Sequence, residues 1–364
     1  MKIQCQFPSV HWIWGGGICF VYEVHPLIVV KVPKSGESER GQLHRELAIY
    51  QIFSQTRPCP SIVQCFHLSD NGIFLEYMRD KSLSSRIQNN HIRDQQTMVV
   101  TKVEKLEPLA LREEWMNDLA QAVAFLESLN LAHGDLRPEN ILLDRNRLKL
   151  SDFDCTAEIG SNYEACMAPY GRILNSSEAD QGECGTFGFL GPRTEQFALG
   201  SLFYLINYGF EVYGYRYLTE DPYEHGPKVV DLLQNMEFPK LDGNPLIDDV
   251  ICKCGHNKYV TVSELAAHTK RLLNERTDMA GSNGIGSREE RGEEEARTPT
   301  DTLSIVRWPT IMGRIIHGLW CGLGDWWTFK EFCQDLEKRG FLNLLSSGDP
   351  EHLGFTFDWY RHSL

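Results

Sequence analysis

His133-Gly134-Asp135-Leu136-Arg137-Pro138-Glu139-Asn140, running into the apolar Ile141-Leu142-Leu143, is followed downstream by Asp152-Phe153-Asp154. Two carboxylates and an amide in this arrangement are the groups that movement of a phosphoryl group calls for. Asp135 can accept the proton of an attacking hydroxyl, while Asn140 and Asp152 offer the hard oxygen ligands that Mg²⁺ prefers. Phosphoryl transfer is largely positioning and charge neutralisation, so these three groups would make up most of a reacting centre. The bland alternative is a chance His-Gly-Asp turn. An eight-residue pattern with a matching downstream partner makes that a poor one.

The pattern resembles the H-R-D-x-x-x-x-N catalytic loop and D-F-G motif of protein kinases, and the resemblance extends over roughly Trp12 to Leu273. It implies an α+β, two-lobed protein kinase fold, with a β-rich N-lobe at about 8–78 and a mostly helical C-lobe at about 79–274. The stretch Asn-Leu-Ala-His-Gly-Asp-Leu-Arg-Pro-Glu-Asn looks most like the divergent protein kinase-like proteins of filamentous fungi. Pro138-Glu139 is similar to the serine/threonine pattern K-P-E-N rather than the tyrosine-kinase A-A-R-N.

Upstream, Leu27-Ile28-Val29-Val30-Lys31-Val32 is apolar and β-branched except for one lysine, as a buried strand should be. A lysine there is costly unless it meets an anion. The resemblance implies that Lys31 reaches the α- and β-phosphates of ATP and pairs with a glutamate on the next helix. Leu43, Leu47 and Tyr50 recur at helical spacing with Glu46 on the same flank, which makes Glu46 the candidate partner. A solvated helix charge is the alternative for Glu46. Glu37 and Glu39 compete, but they are expected in a polar lead-in before the helix.

Trp12 to Tyr22 contains Gly15, Gly16 and Gly17 between two strand-like runs. Glycines let backbone N–H groups approach phosphates, although a plain hairpin turn explains them equally well. Aligning Val21 with the valine of G-x-G-x-x-G-x-V puts Trp14, Gly16 and Cys19 at the three glycines; the other register uses Gly15 and Gly17. The first is preferred, because Val21 then covers adenine. Gly72 to Met78 reads as a strand entering the hinge between lobes. By resemblance Leu75 is the gatekeeper, the backbones of Glu76 and Met78 bond adenine, and Val29 and Leu142 line the nucleotide site.

Arg112 to Leu129 has an apolar stripe of Trp115, Leu119, Ala122, Val123 and Leu126, and would present the catalytic loop from its C-terminal end. The polar stretch from about Gln88 to Glu104 reads as an insertion or loop. Thr194 to Ile206 is apolar nearly all round and resembles the central C-lobe helix, with Glu195 replacing the aspartate that holds the catalytic loop's backbone. Ala168-Pro169-Tyr170 and Gly191-Pro192-Arg193 are imperfect candidates for A-P-E. Helices are expected at about Asn244–Cys254 and Val262–Leu273, the second opened by the capping box Thr261-x-x-Glu264.

Three departures from the family stand out. Gly134 replaces the arginine that grips a phosphorylated activation loop. Arg137 replaces a lysine at the γ-phosphate, keeping the charge but not the point-like donor. Asp154 replaces the glycine of D-F-G. Lys31, Asp135, Asn140 and Asp152 all remain, so an active enzyme using ATP and Mg²⁺ is expected, with Asp135 as base and His133 and Phe153 packed in a spine toward Tyr50. Two other classes stay open: a small-molecule phosphotransferase of the aminoglycoside or choline type, and a pseudokinase that binds nucleotide or serves as a scaffold.

The composition fits one two-lobed domain plus an appendage: 364 residues, 42% of them apolar. The net charge of −14 argues against a nucleic-acid binder with a general basic surface. Phe197–Phe210 is too short to span a bilayer, and no signal-peptide core follows Met1. The 11 cysteines without regular spacing suggest a reducing cytoplasmic or nuclear setting. Cys252-x-Cys254-x-His256 lacks a second ligand pair for zinc. Residues 275–302 read as a disordered acidic linker carrying Thr298-Pro299, and 303–364 as a tryptophan-rich helical tail. In that tail Trp327, Phe329, Phe332, Cys333 and Leu336 share a helical face, which suits either a docking surface for a protein partner or packing back on the catalytic lobe.

Overall fold

The computed structural model describes residue 3 and residues 6–163, 166–282 and 327–357. An antiparallel five-stranded sheet is built from β1 (His11–Gly15), β2 (Cys19–His25), β3 (Ile28–Pro33), β4 (Cys65–Ser69) and β5 (Gly72–Glu76), in the order β1-β2-β3-β5-β4. Every residue of β3 is buried, as its valine-rich sequence requires. Period-two alternation divides its side chains between two apolar clusters. Val29, Ile73 and Leu75 belong to the cluster that runs on into the C-lobe, and Val30, Val32 and Phe74 to the one on the opposite face.

Helix α1 (Glu37–Ser54) lies on the inner side of the sheet and buries Leu43, Glu46, Leu47, Ile49 and Tyr50. Glu37 and Glu39 form its acidic first turn rather than a lead-in, where they complement the positive end of the helix dipole.

Below the sheet come α2 (Leu83–Gln88), a hairpin of β6 (His91–Arg93) and β7 (Val100–Val103), and α3 (Leu109–Ser128). The hairpin replaces the expected loop: its backbone pairing needs no apolar run, and His91 Nδ1 lies 2.9 Å from the Gly209 carbonyl. Short strands β8 (Leu131–Ala132), β9 (Ile141–Asp144), β10 (Arg147–Leu150) and β11 (Ala157–Glu158) frame the His-Gly-Asp and Asp-Phe-Asp segments. Helix α4 (Pro192–Tyr208) is buried from Arg193 to Asn207 and forms the C-lobe axis. Helix α5 (His225–Gln234) precedes α6 (Pro245–Gly255) and α7 (Val262–Ser282), which pack against α4, and α7 runs past the start of the expected linker. Among the described residues no helix is long and apolar enough to cross a membrane.

Residues 327–338 are helical (α8) and lead into α9 (Phe341–Leu345). Cys333, Leu336, Phe341, Leu342, Leu345 and Phe355 pack on the sheet's second face, over Tyr22, Val24, Ile28, Val30, Val32 and Phe74. Of the apolar positions that a protein partner would use, Phe329, Phe332, Cys333 and Leu336 are thus occupied by the N-lobe, while Trp327 stays exposed. Trp308, Trp320, Trp326, Trp359 and Thr298-Pro299 lie outside the described residues.

Candidate active site

Lys31 and Val21 sit opposite one another across β2 and β3, so both face the cleft between the lobes. Glu46 comes up from α1 and accepts from Lys31 Nζ at 2.7 Å; Asp152 accepts from the same ammonium at 2.5 Å. Burial works against the lysine charge, but the Glu46 and Asp152 carboxylates outweigh it and hold its pKa well above the ordinary lysine value. Burial likewise disfavours the Asp152 carboxylate, and the adjacent Lys31 charge reverses that effect, so its pKa falls. Asp154, farther from the ammonium, is pushed up by burial and by the charge of Asp152.

The His-Gly-Asp loop is framed from beneath. Glu195, in the first turn of α4, accepts from the backbone N–H of His133 at 2.8 Å and of Gly134 at 3.3 Å. Burial raises its pKa to about 7 against the opposing pull of those two donors. His133 Nε2 lies 3.0 Å from the Ser151 carbonyl, while its Nδ1 accepts from the Asp135 N–H at 3.2 Å. That pattern requires the neutral Nε2–H tautomer, and burial lowers the His133 pKa accordingly. The ring also meets Phe153 at 5.3 Å, and Phe153 meets Tyr50 at 5.4 Å, giving the expected aromatic spine. Gly134 has φ +77°, and a Cβ there would come within 2.7 Å of the Cys155 carbonyl oxygen, so glycine suits this turn on steric grounds.

Asn140 donates through Nδ2 to the Asp135 carbonyl at 2.9 Å and to Asp135 Oδ2 at 2.8 Å. Both partners are acceptors, so the amide nitrogen must face them and the amide oxygen is the end available to a ligand. With the carboxylate of Asp152, this donor set is all hard oxygen, which fits Mg²⁺. Arg137 lies 3.2 Å from Asp135 Oδ2, with its side chain half exposed at the cleft.

Val21, Val29, Leu75, Met78 and Leu142, the residues expected around adenine, share one apolar cluster on the cleft side. Gly15, Gly16 and Gly17 form the turn between β1 and β2, closed by Gly16 N–H donating to the Cys19 carbonyl at 2.9 Å. The half-exposed Trp14 ring folds over this turn, where a Cβ on Gly16 would collide with it.

The Glu76 side chain has a role that backbone-based reasoning missed. Its carboxylate accepts from Lys149 Nζ at 2.5 Å and lies 3.7 Å from Arg147, while Asp144 pairs with Arg79 and Arg147. This ionic brace ties the end of β5 to the β9–β10 hairpin of the C-lobe. Only an alternation of charge hinted at it, since no local spacing links residues so far apart.

Cys254 is buried and Cys252 exposed on α6, so the two thiols do not converge into a zinc site. An apolar cavity of about 360 Å³ between α4 and α6, lined in part by Phe197, Tyr204, Phe238 and His256, shares no residue with the Lys31–Asp152 cluster.

Residues 23–195 match the family model described as "Protein kinase domain". The chain is 36% identical over 89 residues to human testis-specific serine/threonine-protein kinase 4, covering 24% of this chain and 26% of that protein. It is 23% identical over 183 residues to CBL-interacting protein kinase 10 of Oryza sativa subsp. japonica, covering 46% of this chain and 34% of the relative. Rabbit (Oryctolagus cuniculus) MAP kinase-activated protein kinase 2 is 24% identical over 291 residues, 72% of each chain. The chain therefore spans well under two thirds of the first two relatives and more of the third. With the two-lobed fold and the Lys31–Glu46–Asp152 cluster facing the His-Gly-Asp loop, the domain match assigns residues 23–195 to the protein kinase-like superfamily.

Proposed function

We propose that the chain is an ATP-dependent protein kinase that transfers the γ-phosphoryl group of Mg²⁺·ATP to serine or threonine hydroxyls of proteins. The observation that carries this reading is the joint contact of Lys31 with Glu46 and Asp152, within a cleft whose other wall holds Asp135 and Asn140. A pair of carboxylates around one buried ammonium keeps that ammonium charged, and its position suits the α- and β-phosphates. The acceptor hydroxyl would give its proton to Asp135 as its oxygen bonds to the γ-phosphorus, and the β–γ bridging oxygen leaves with ADP. Asn140 and Asp152 are the residues that would hold Mg²⁺, which when bound supplies neutralisation of phosphate charge. Val21, Val29, Leu75, Met78 and Leu142 would enclose adenine, with the Glu76 and Met78 backbones as its hydrogen-bond partners and the Gly15–Gly17 turn over the phosphates. Arg137, beside Asp135, would stabilise charge developing on the γ-phosphoryl oxygens.

The serine/threonine assignment rests on Pro138-Glu139 and on the similarity to human testis-specific serine/threonine-protein kinase 4. The described cysteines are free thiols, which supports a reducing cytoplasmic or nuclear setting.

Transfer of labelled γ-phosphate into a mixed protein extract, wild type beside Asp135→Asn, tests the proposal. Labelling of proteins that disappears in the variant is expected. Folded wild-type protein that labels no more than the variant would sink it, in favour of a pseudokinase; ADP release with amino-alcohol acceptors alone would favour a small-molecule phosphotransferase.

A further inference from the structure

The segment 327–357 does more than cover apolar surface. Its contacts run across all five strands and are pinned at both edges of the sheet. At the β4 edge, Glu337 lies 2.6 Å from His67 Nε2 and Asn343 accepts from Asn71 at 3.2 Å. In the middle, Leu342 lies against the start of β5, close enough that a Cβ on Gly72 would meet it at 3.1 Å. At the opposite edge, Phe357 forms a parallel bridge with Trp12 on β1, and the two rings meet at 4.8 Å. Phe355 packs on Tyr22 of β2 at 5.2 Å.

Trp12 and Tyr22 pair directly across β1 and β2. Trp12 packs edge-on against Phe20 at 6.0 Å and donates from its indole to the Trp14 carbonyl at 2.9 Å, across the bulge between Trp12 and Trp14. The tail therefore grips both strands of the hairpin whose turn is Gly15–Gly17. Tyr22 is also the chain neighbour of Val21, which faces the cleft opposite Lys31. An edge hairpin with three glycines in its turn has few side-chain contacts of its own to fix how far it leans over the cleft. Here the rigid support comes from behind.

We infer that residues 327–357 act as a strap that sets the position of the β1–β2 hairpin and thereby the affinity for nucleotide, with Phe355 and Phe357 as positioning residues. This rests on the proposed ATP site. A hairpin held in its bound position loses less freedom when nucleotide binds, so the strap should act on binding more than on the chemical step.

The test uses the full-length chain as wild type, Phe355→Ala, Phe357→Ala and, as a control at the far edge, Glu337→Gln. Three quantities are read: Kd for Mg²⁺·ATP by displacement of a fluorescent nucleotide, the split between KM and kcat, and hydrogen exchange of residues 11–25. Phe355→Ala is expected to raise Kd and KM for ATP about fivefold or more while kcat stays within about twofold, and Phe357→Ala to do so less strongly. Exchange in 11–25 should quicken in both, whereas Glu337→Gln should leave Kd within about twofold of wild type. A lowered Tm with unchanged Kd, KM and hairpin exchange would overturn the inference and leave a purely structural tail. If Phe355→Ala does not fold, the milder Phe357→Ala decides by the same readings. A wild type that binds no nucleotide overturns the proposed function instead; exchange in 11–25 then still separates a strap, which quickens when cut, from a passive cover, which does not.

Discussion

Lys31 reaches Glu46 and Asp152 through ion pairs between side chains from different elements, whereas the loop carrying Asp135 is held by hydrogen bonds that its own backbone N–H groups donate to Glu195 and within its own turn. The first half of the site is an assembly of charges brought together from β3, α1 and the Asp-Phe-Asp segment. Relative movement of the lobes would part Lys31 from Asp152, while the Lys31–Glu46 pair lies within the N-lobe. The second half is a frame in which buried N–H groups have named acceptors, and it keeps its shape for as long as α4 is folded. The first half thus contains a contact between lobes, and the second lies within the C-lobe. The proposed kinase reaction would need both, because nucleotide would enter and leave a centre whose base, Asp135, stays in register.

The comparison is broken most sharply at Lys31 and Asp152. Lys31→Ala and Asp152→Ala are each expected to lower turnover by about two to three orders of magnitude, because each removes charge stabilisation of the transferring group. Steady-state transfer at saturating ATP measures this, and near-wild-type rates in either variant would refute the assigned roles. Glu195→Ala should act on the frame instead. Stranding two buried N–H groups is expected to cost about 2–4 kcal/mol in denaturant unfolding, with Glu195→Gln, which keeps one acceptor oxygen, costing less.

The same residue sharpens the contrast through pH. The Glu195 carboxyl is raised from its ordinary 4.5 to about 7 in the folded chain. Between those values the native state keeps a proton that the unfolded chain has released. Its favourable contribution is therefore complete below about 4.5 and is lost as pH rises through 7. Unfolding free energy measured from pH 5 to 8 should decline more steeply in wild type than in Glu195→Gln, by up to about 2–3 kcal/mol. Parallel curves would count against a shifted Glu195. Smallest of all, Arg137→Lys is expected to keep turnover within about tenfold and stability within about 0.5 kcal/mol, because a half-exposed cation is retained beside Asp135.

The groups legible in the sequence are those whose chemistry resides in side chains at short spacing. Asp135, Asn140 and Asp152 announce themselves within one segment, and Lys31 stands out as a charge in a valine run. Glu46 followed from helical periodicity, and its near-complete burial agrees with a partner rather than a solvated charge. Glu195 was recognisable through the resemblance to the central C-lobe helix, where it stands in place of the aspartate. The β6–β7 hairpin was not legible, since backbone pairing leaves little trace in polar side chains. Nor was the brace at Glu76, where partners as remote as Lys149 meet only after folding. The tail lay between these cases: Phe332, Cys333 and Leu336 revealed a helical face, but periodicity says what is buried and never against which surface.

That last feature also orders events in time. Glu337 meets His67, which lies 270 positions before it in the chain, so the outer face of the N-lobe sheet is synthesised well before the segment that covers it. Until residues 327–357 emerge, Tyr22, Val30 and Phe74 present a bare apolar surface to whatever is nearby. A contact this distant in sequence closes slowly. The nascent chain accordingly passes through a stage in which Lys31, Asp135, Asn140 and Asp152 all exist, yet the sheet of the N-lobe is still exposed to aggregation and to chaperones.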